Sequence, residues 1–147
     1  MVLYITEIKV DGYEKVIRGI DSDTGLDCIV AVHSTKLGPA MGGCRLWTYP
    51  DFDSHLTEAL RLSQGMTMKN SLAGLNGGGG KGVINCKAEN KTLKLLHSYG
   101  KVVDSLGGSY YTAEDVGMST KDLGNVEKTT KYVLGHDVDL PSNPSPA

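Results

Sequence analysis

The apolar positions follow an extended, two-residue pattern early in the chain and a helical one later. Residues 15–20 and 26–32 are rich in Val and Ile, and Asp21-Ser22-Asp23-Thr24-Gly25 between them is a run of turn formers, so the pattern predicts a hairpin. Its second strand, through Cys28-Ile29-Val30-Ala31-Val32, lacks polar alternation and is expected to be central and covered on both faces. Residues 1–10 satisfy parts of both periods through Leu3, Tyr4, Ile5 and Ile8, and either a helix or a strand fits them. Residues 44–49, after Gly42-Gly43, read as a further strand. The period then changes. From Ser54 to about Met68, residues Leu56, Ala59, Leu60, Ser63 and Met66 fall near helical spacing, with Asp53 or Ser54 available as the cap. A second helix is predicted over 92–106, with Leu93, Leu96, Tyr99, Val103 and Leu106 on one stripe. Between the helices residues 82–86 read as a buried strand, and 109–112 as a short one. Ser119-Thr120-Lys121-Asp122 resembles a capping box opening a third helix with Leu123 and Val126.

This order implies an α/β fold: a mixed, largely parallel sheet with helices on both faces. Residues 141–147 contain Pro141, Pro144 and Pro146, cannot continue a helix or a sheet interior, and read as the start of a linker. Residues 1–140 then form one domain. A chain of 147 residues, 39% hydrophobic, can build one core, whereas a two-domain enzyme of ordinary size would not fit.

Charge and cysteine usage narrow the partners. The net charge of −2 and the pI near 6.0 leave no basic surface for nucleic acid. Cys28, Cys44 and Cys86 are odd in number and never form a Cys-x-x-Cys pair, which argues against a disulfide framework and a zinc site; no metal is expected. No apolar stretch has the length of a bilayer span, and Glu7, Lys9 and Asp11 stand where a signal peptide needs an apolar centre. The expectation is a soluble cytoplasmic protein with no membrane partner.

The most unusual local feature is Gly77-Gly78-Gly79-Gly80-Lys81-Gly82, a glycine run ending in a lysine just ahead of the predicted strand at 82–86. A phosphate-binding loop fails here, because Leu75 stands where its first glycine belongs and Gly82 where a Ser or Thr would hold magnesium. Such a loop also precedes a helix, not a strand. The dinucleotide fingerprint fails too, since no Gly-x-Gly-x-x-Gly lies between a strand and a helix with an acid about twenty residues on. No cofactor-binding residue is expected in this chain. Lys69, at the end of the first helix, and Asp115, just after a short strand, each have an ordinary structural explanation: a lysine serving the helix dipole, an aspartate in a turn.

Together these segments say more. His33-Ser34-Thr35-Lys36-Leu37-Gly38-Pro39-Ala40-Met41-Gly42-Gly43-Cys44-Arg45-Leu46-Trp47, Gly65-Met66-Thr67-Met68-Lys69-Asn70, Gly78-Gly79-Gly80-Lys81 and Thr112-Ala113-Glu114-Asp115-Val116-Gly117 resemble four blocks of the leucine/valine/phenylalanine dehydrogenases, relatives of glutamate dehydrogenase, in the family's order and approximate spacing. The resemblance implies the N-terminal, substrate-binding and dimerisation domain of an NAD- or NADP-dependent L-amino-acid dehydrogenase, most similar to leucine dehydrogenase. Such enzymes carry out reversible oxidative deamination to a 2-oxo acid and ammonia. It implies that Lys69 binds the substrate α-carboxylate with help from the backbone at Gly42 and Gly43. Lys81 is similar to the catalytic lysine that activates water, and Asp115 to the acid that exchanges protons with the amino group. Lys81 beside a second lysine would have its ammonium form disfavoured and so be suited to act as a base.

By the same resemblance Met41, Met66 and Ala113 line the side-chain pocket. Their apolar character suits a branched aliphatic or aromatic amino acid, although core packing is the commoner role for methionine. A homo-oligomer is implied, and the nucleotide-binding domain is expected to be missing from this chain. The sequence departs from the family at Ser34, Cys44 and Gly77, none of which is Lys69, Lys81 or Asp115. The alternative is a non-catalytic self-association module descended from such an enzyme.

Overall fold

A computed structural model describes residues 2–135. The expected linker at 141–147 lies outside the described residues. The elements run β1 (Leu3–Glu7), β2 (Lys15–Asp21), β3 (Leu26–Val32), β4 (Ala40–Met41), β5 (Cys44–Trp47), α1 (Phe52–Leu72), β6 (Gly78–Asn85), α2 (Leu93–Asp104), β7 (Tyr110–Tyr111) and α3 (Thr120–Val126). A short 3-10 turn at Ala88–Asn90 precedes α2.

The strands form one seven-stranded sheet in the order β1-β2-β3-β6-β4-β7, with β5 also on β6. The sheet is mixed, as expected, but its parallel share is smaller than the sequence suggested. β1, β2, β3 and β6 pair antiparallel in long ladders, and parallel pairing is confined to the short β4, β5 and β7. The first three strands are joined by short connections, residues 8–14 and 22–25, too short for the crossover that parallel neighbours need. The open choice at the N-terminus resolves to a strand, with Leu3 opposite Asp21 and Glu7 opposite Ile17.

Helices cover both faces. Cys28, Val30 and Val32 of β3 pack with Leu95, Leu96, Tyr99, Val102 and Val103 of α2 and with Leu123 and Val126 of α3. On the other face Ile29 and Ala31 join Val16, Val83 and Ala59, with Leu56 and Leu60 of α1 against them. The unbroken apolar run of β3 thus serves two cores, as its lack of alternation required.

Several element details differ from the sequence reading. The first helix is longer at both ends and is capped by Asp51, whose carboxylate accepts from the Ser54 backbone N–H at 2.8 Å, rather than by Asp53 or Ser54. Its buried face carries His55, Ser63 and Asn70, polar residues that blur the apolar stripe. On α2 the buried stripe runs through Leu95, Leu96, Tyr99, Val102 and Val103, while Leu93 is 58% exposed. The capping box at Ser119 and Asp122 is present in both directions.

The glycine run is not a loop ahead of the strand: Gly78, Gly79 and Gly80 are the first residues of β6. Side chains there have no room. A Cβ on Gly78 would lie 1.6 Å from the Ser34 carbonyl oxygen, one on Gly79 2.0 Å from the Thr67 backbone nitrogen, and one on Gly80 2.6 Å from Cδ1 of Tyr110. These glycines let α1 and the β7 edge close onto the strand.

Candidate active site

β4 and β5 lie along β6 at the same register offset, Ala40 opposite Gly78 and Cys44 opposite Gly82, so they are one line of chain interrupted at Gly42-Gly43. The interruption faces Gly80 and Lys81. It exists because two backbones meet there: a Cβ on Gly42 would fall 1.7 Å from the Gly80 carbonyl oxygen, and one on Gly43 2.5 Å from the Glu114 carbonyl oxygen and 2.8 Å from Cβ of Asp115. Strand alternation puts Lys81 on the same face as Gly79 and Val83, the α1 side.

At this seam Lys81 Nζ lies 2.8 Å from Asp115 Oδ2, the lysine side chain 8% exposed and the aspartate 23%. Gly42-Gly43 follows β4 and Asp115 follows β7, so the pair gathers where two parallel strands end, the place where α/β sheets hold ligands. Arg45 of β5 reaches the same Oδ2 through Nε at 3.3 Å. Burial pushes the Asp115 carboxyl up, but the Lys81 ammonium, the Val116 backbone N–H and the Arg45 guanidinium outweigh it and hold the group below the usual carboxylate range.

The other expected residues are placed unevenly around this pair. Met66, half-buried on α1, has its Cγ 3.3 Å from the Cβ position of Gly42, so it adjoins the seam. Lys69 follows on the same end of the helix, exposed; its carbonyl accepts from the Ala73 backbone N–H, and its ammonium has no hydrogen bond or ion pair among the described residues. Its neighbour Asn70 is buried and donates to the carbonyls of Met41 and Gly78 at 3.3 and 2.8 Å, which pins this end of α1 over the seam. Lys81 itself is in direct contact with the Asp115 carboxylate.

Met41 is buried in a small cluster with Tyr111, against which Leu75, Tyr132 and Leu134 pack. Ala113, half-buried, opens with Leu123 and Leu134 on a cavity of about 70 Å³ next to that cluster. Thus Gly42, Gly43, Met66, Lys81 and Asp115 come together and Met41 and Ala113 adjoin them, while Lys69 is exposed in the last turn of α1, next to Asn70. A roomier recess, about 520 Å³ around Thr48, Asn85 and Cys86, lies at the far end of β6 and does not include the pair.

Sequence reasoning missed Arg45 and Glu58 as parts of the site. Arg45 Nη1 lies 3.2 Å from Glu58 Oε2, and Tyr49 donates to that same oxygen. The available signal was an arginine in a strand whose neighbours Cys44 and Leu46 are buried.

With the geometry in place, comparison with known proteins is decisive. The family described as Glu/Leu/Phe/Val dehydrogenase, dimerisation domain, matches residues 15–132. The chain belongs to this family. Leucine dehydrogenase of Geobacillus stearothermophilus is 44% identical over 138 residues, which is 92% of this chain and 38% of that protein. Phenylalanine dehydrogenase of Caldalkalibacillus thermarum is 40% identical over 132 residues, 89% of this chain and 36% of that protein. The crystal structure of L-tryptophan dehydrogenase from Nostoc punctiforme superposes with a TM-score of 0.81 at 43% identity, covering 83% of this chain and 37% of that one. The chain therefore spans well under half the length of these relatives.

Within a Glu/Leu/Phe/Val dehydrogenase the glycine run might be taken for a dinucleotide cradle, but its open sides are filled by Ser34, Thr67 and Tyr110. Among the described residues this run does not fit a nicotinamide dinucleotide. Nor do they contain a group of three or more His, Cys, Asp or Glu that could hold a metal ion.

Proposed function

We propose that this chain is the substrate-binding and self-associating part of an L-amino-acid dehydrogenase that interconverts an apolar amino acid with its 2-oxo acid and ammonia. The observation that carries the reading is the Lys81–Asp115 pair, 2.8 Å apart against the side-chain-free backbone of Gly42-Gly43. A lysine and a carboxylate at hydrogen-bond distance can divide the proton work of deamination: Asp115 exchanges a proton with the substrate amino group, and Lys81 serves the water that attacks the imine carbon. Lys69, exposed one turn beyond Met66 and with its ammonium unpaired among the described residues, is the cation for the substrate α-carboxylate. The hydride acceptor, NAD or NADP, is supplied from outside the described residues.

Met41, Met66 and Ala113 supply the apolar wall for the substrate side chain. No cation stands among them to meet a side-chain carboxylate, which favours leucine-like or aromatic substrates over glutamate. Self-association is supported by the matched description as a dimerisation domain and by the exposed apolar residues of the sheet edge, Tyr4 and Ile5 on β1. Three buried free thiols suit a reducing compartment and support a cytoplasmic reading; no described helix is long and apolar enough to cross a membrane.

The test is amide NMR of the 147-residue chain titrated with L-leucine. Shifts are expected at Gly42, Gly43 and Asp115 and should weaken in Lys69→Ala. Shifts confined to other surfaces would overturn the assignment. The isolated chain is expected not to reduce NAD.

A further inference from the structure

We propose that Arg45, anchored by Glu58, is the positioning residue for Asp115. With Lys81 it fixes Oδ2 and leaves Oδ1 as the oxygen that meets the substrate amino group. The inference rests on the reading of Asp115 as the proton-exchanging group.

Two cations converge on one oxygen. Lys81 Nζ is 2.8 Å and Arg45 Nε 3.3 Å from Oδ2 of Asp115, the first from β6 and the second from β5. A carboxylate gripped twice on one oxygen has its side-chain torsion set, and its other oxygen is directed away from both cations. Arg45 is itself restrained. Its Nη1 meets Glu58 Oε2 at 3.2 Å, Tyr49 donates to that oxygen at 3.3 Å, and Arg61 occupies Glu58 Oε1. Charges therefore alternate from Arg61 through Glu58, Arg45 and Asp115 to Lys81, and Arg45 cannot turn away without leaving Glu58 as well. The side chains of Arg45, Glu58 and Asp115 are 23%, 19% and 23% exposed, so the chain of charges is only partly screened by water.

Arg45 has a job that Lys81 cannot do. In the proposed reaction Lys81 exchanges a proton with the water at the reacting carbon, so its charge beside Asp115 changes during turnover. A guanidinium stays charged throughout, so Arg45 keeps a counter-charge on the aspartate when the lysine is neutral. The groups facing Asp115 are Lys81 from β6, Arg45 from β5, the Val116 backbone N–H, and Glu58 of α1 acting through Arg45; the Cys44 thiol lies in the core on the other face of β5.

Carbon-13 NMR of the Asp115 carboxyl in the 147-residue chain tests this through its titration midpoint, in the wild type and in Arg45→Met, Lys81→Met and the double variant. Arg45→Met should raise the midpoint, and it should raise it again in the Lys81→Met background, where the arginine acts alone. Arg45→Lys, which keeps the charge and disturbs packing least, should stay nearer the wild type. A midpoint unmoved by Arg45→Met in both backgrounds overturns the proposal while leaving the Lys81–Asp115 site intact. Failure of the substrate-site reading would look different: the midpoints would move as expected, yet L-leucine would not perturb Gly43 or Asp115.

Discussion

The Tyr110 hydroxyl donates to the Gly42 carbonyl oxygen at 2.7 Å, inside a core where Tyr110 is fully buried. A phenol has one proton and a carbonyl can only accept, so the 3.1 Å contact between Tyr110 and Thr112 Oγ1 must have the threonine as donor. Thr112 in turn must accept from Tyr99, 2.8 Å away. Three hydroxyls thus point in one direction and end on the backbone that flanks Lys81. Tyr110→Phe would leave the Gly42 carbonyl and the Thr112 hydroxyl unsatisfied in the core, a loss of about 1–3 kcal/mol. Urea unfolding should show it as a lower midpoint at unchanged slope.

Two glycines on the facing elements should respond in opposite senses to the same added methyl. Gly79 of β6 is pressed against the Thr67 backbone, and a Cβ there would sit 2.0 Å from its nitrogen. Gly65, in the middle of α1, has nothing within 4 Å of its Cβ position. Gly65→Ala should stabilise by about 0.5–1 kcal/mol, because the helix no longer orders a glycine. Gly79→Ala should destabilise by at least about 1–3 kcal/mol through overpacking against rigid backbone. Thermal melts of the two variants side by side would check the contrast, and equal shifts would contradict it.

That contrast also marks where the sequence was legible. The hairpin of β2 and β3, the third helix with its capping box and the two-sided burial of β3 are local or periodic features, so they could be read directly. The glycine strand could not. Its residues carry no side-chain period, and the need for them comes from Ser34, Thr67 and Tyr110, all distant along the chain. The far end of α1 was not legible because its buried residue there is Asn70, a polar side chain satisfied by the Met41 and Gly78 carbonyls.

Lys81 and Asp115, taken singly, resemble ordinary structural residues. The family resemblance singled them out, and the parallel register of β4 and β6 puts them together. Arg45 and Glu58 had no such help, since their spacing of 13 residues is neither a helical nor a strand repeat.

Acid should weaken the fold in two separable stages. His55 is fully buried, its Nε2 donating to the Val83 carbonyl at 2.8 Å while Nδ1 has no partner among the described residues. Burial lowers its pKa below the ordinary histidine value, only partly offset by the Val83 carbonyl. The unfolded chain therefore binds this proton first. The stability His55 contributes is complete above an unfolded value of about 6.5 and is lost as pH falls towards the depressed native value. Asp115, also held low, contributes above an unfolded value of about 3.9 and loses that contribution only in stronger acid. Urea midpoints from pH 7.5 to 5 should fall less in His55→Phe than in the wild type. His33, also lowered by burial, contributes slope in the same direction.

Removing either partner of the Lys81–Asp115 pair should have unequal effects on stability. Asp115→Asn takes the carboxylate from a lysine whose side chain is only 8% exposed and leaves Arg45 and Lys81 as adjacent cations. Breaking a fully buried pair costs about 3–5 kcal/mol; because Asp115 still reaches water, a loss nearer about 1–3 kcal/mol is expected here. Lys81→Met removes the buried charge itself and offers a side chain of similar length to the same apolar surroundings, while Asp115 keeps Arg45. That variant should be as stable as the wild type or more so. A lysine that methionine could replace without loss of stability would owe its place to something other than folding. Paired urea titrations decide the matter, and a Lys81→Met chain much weaker than Asp115→Asn would make Lys81 chiefly a structural residue.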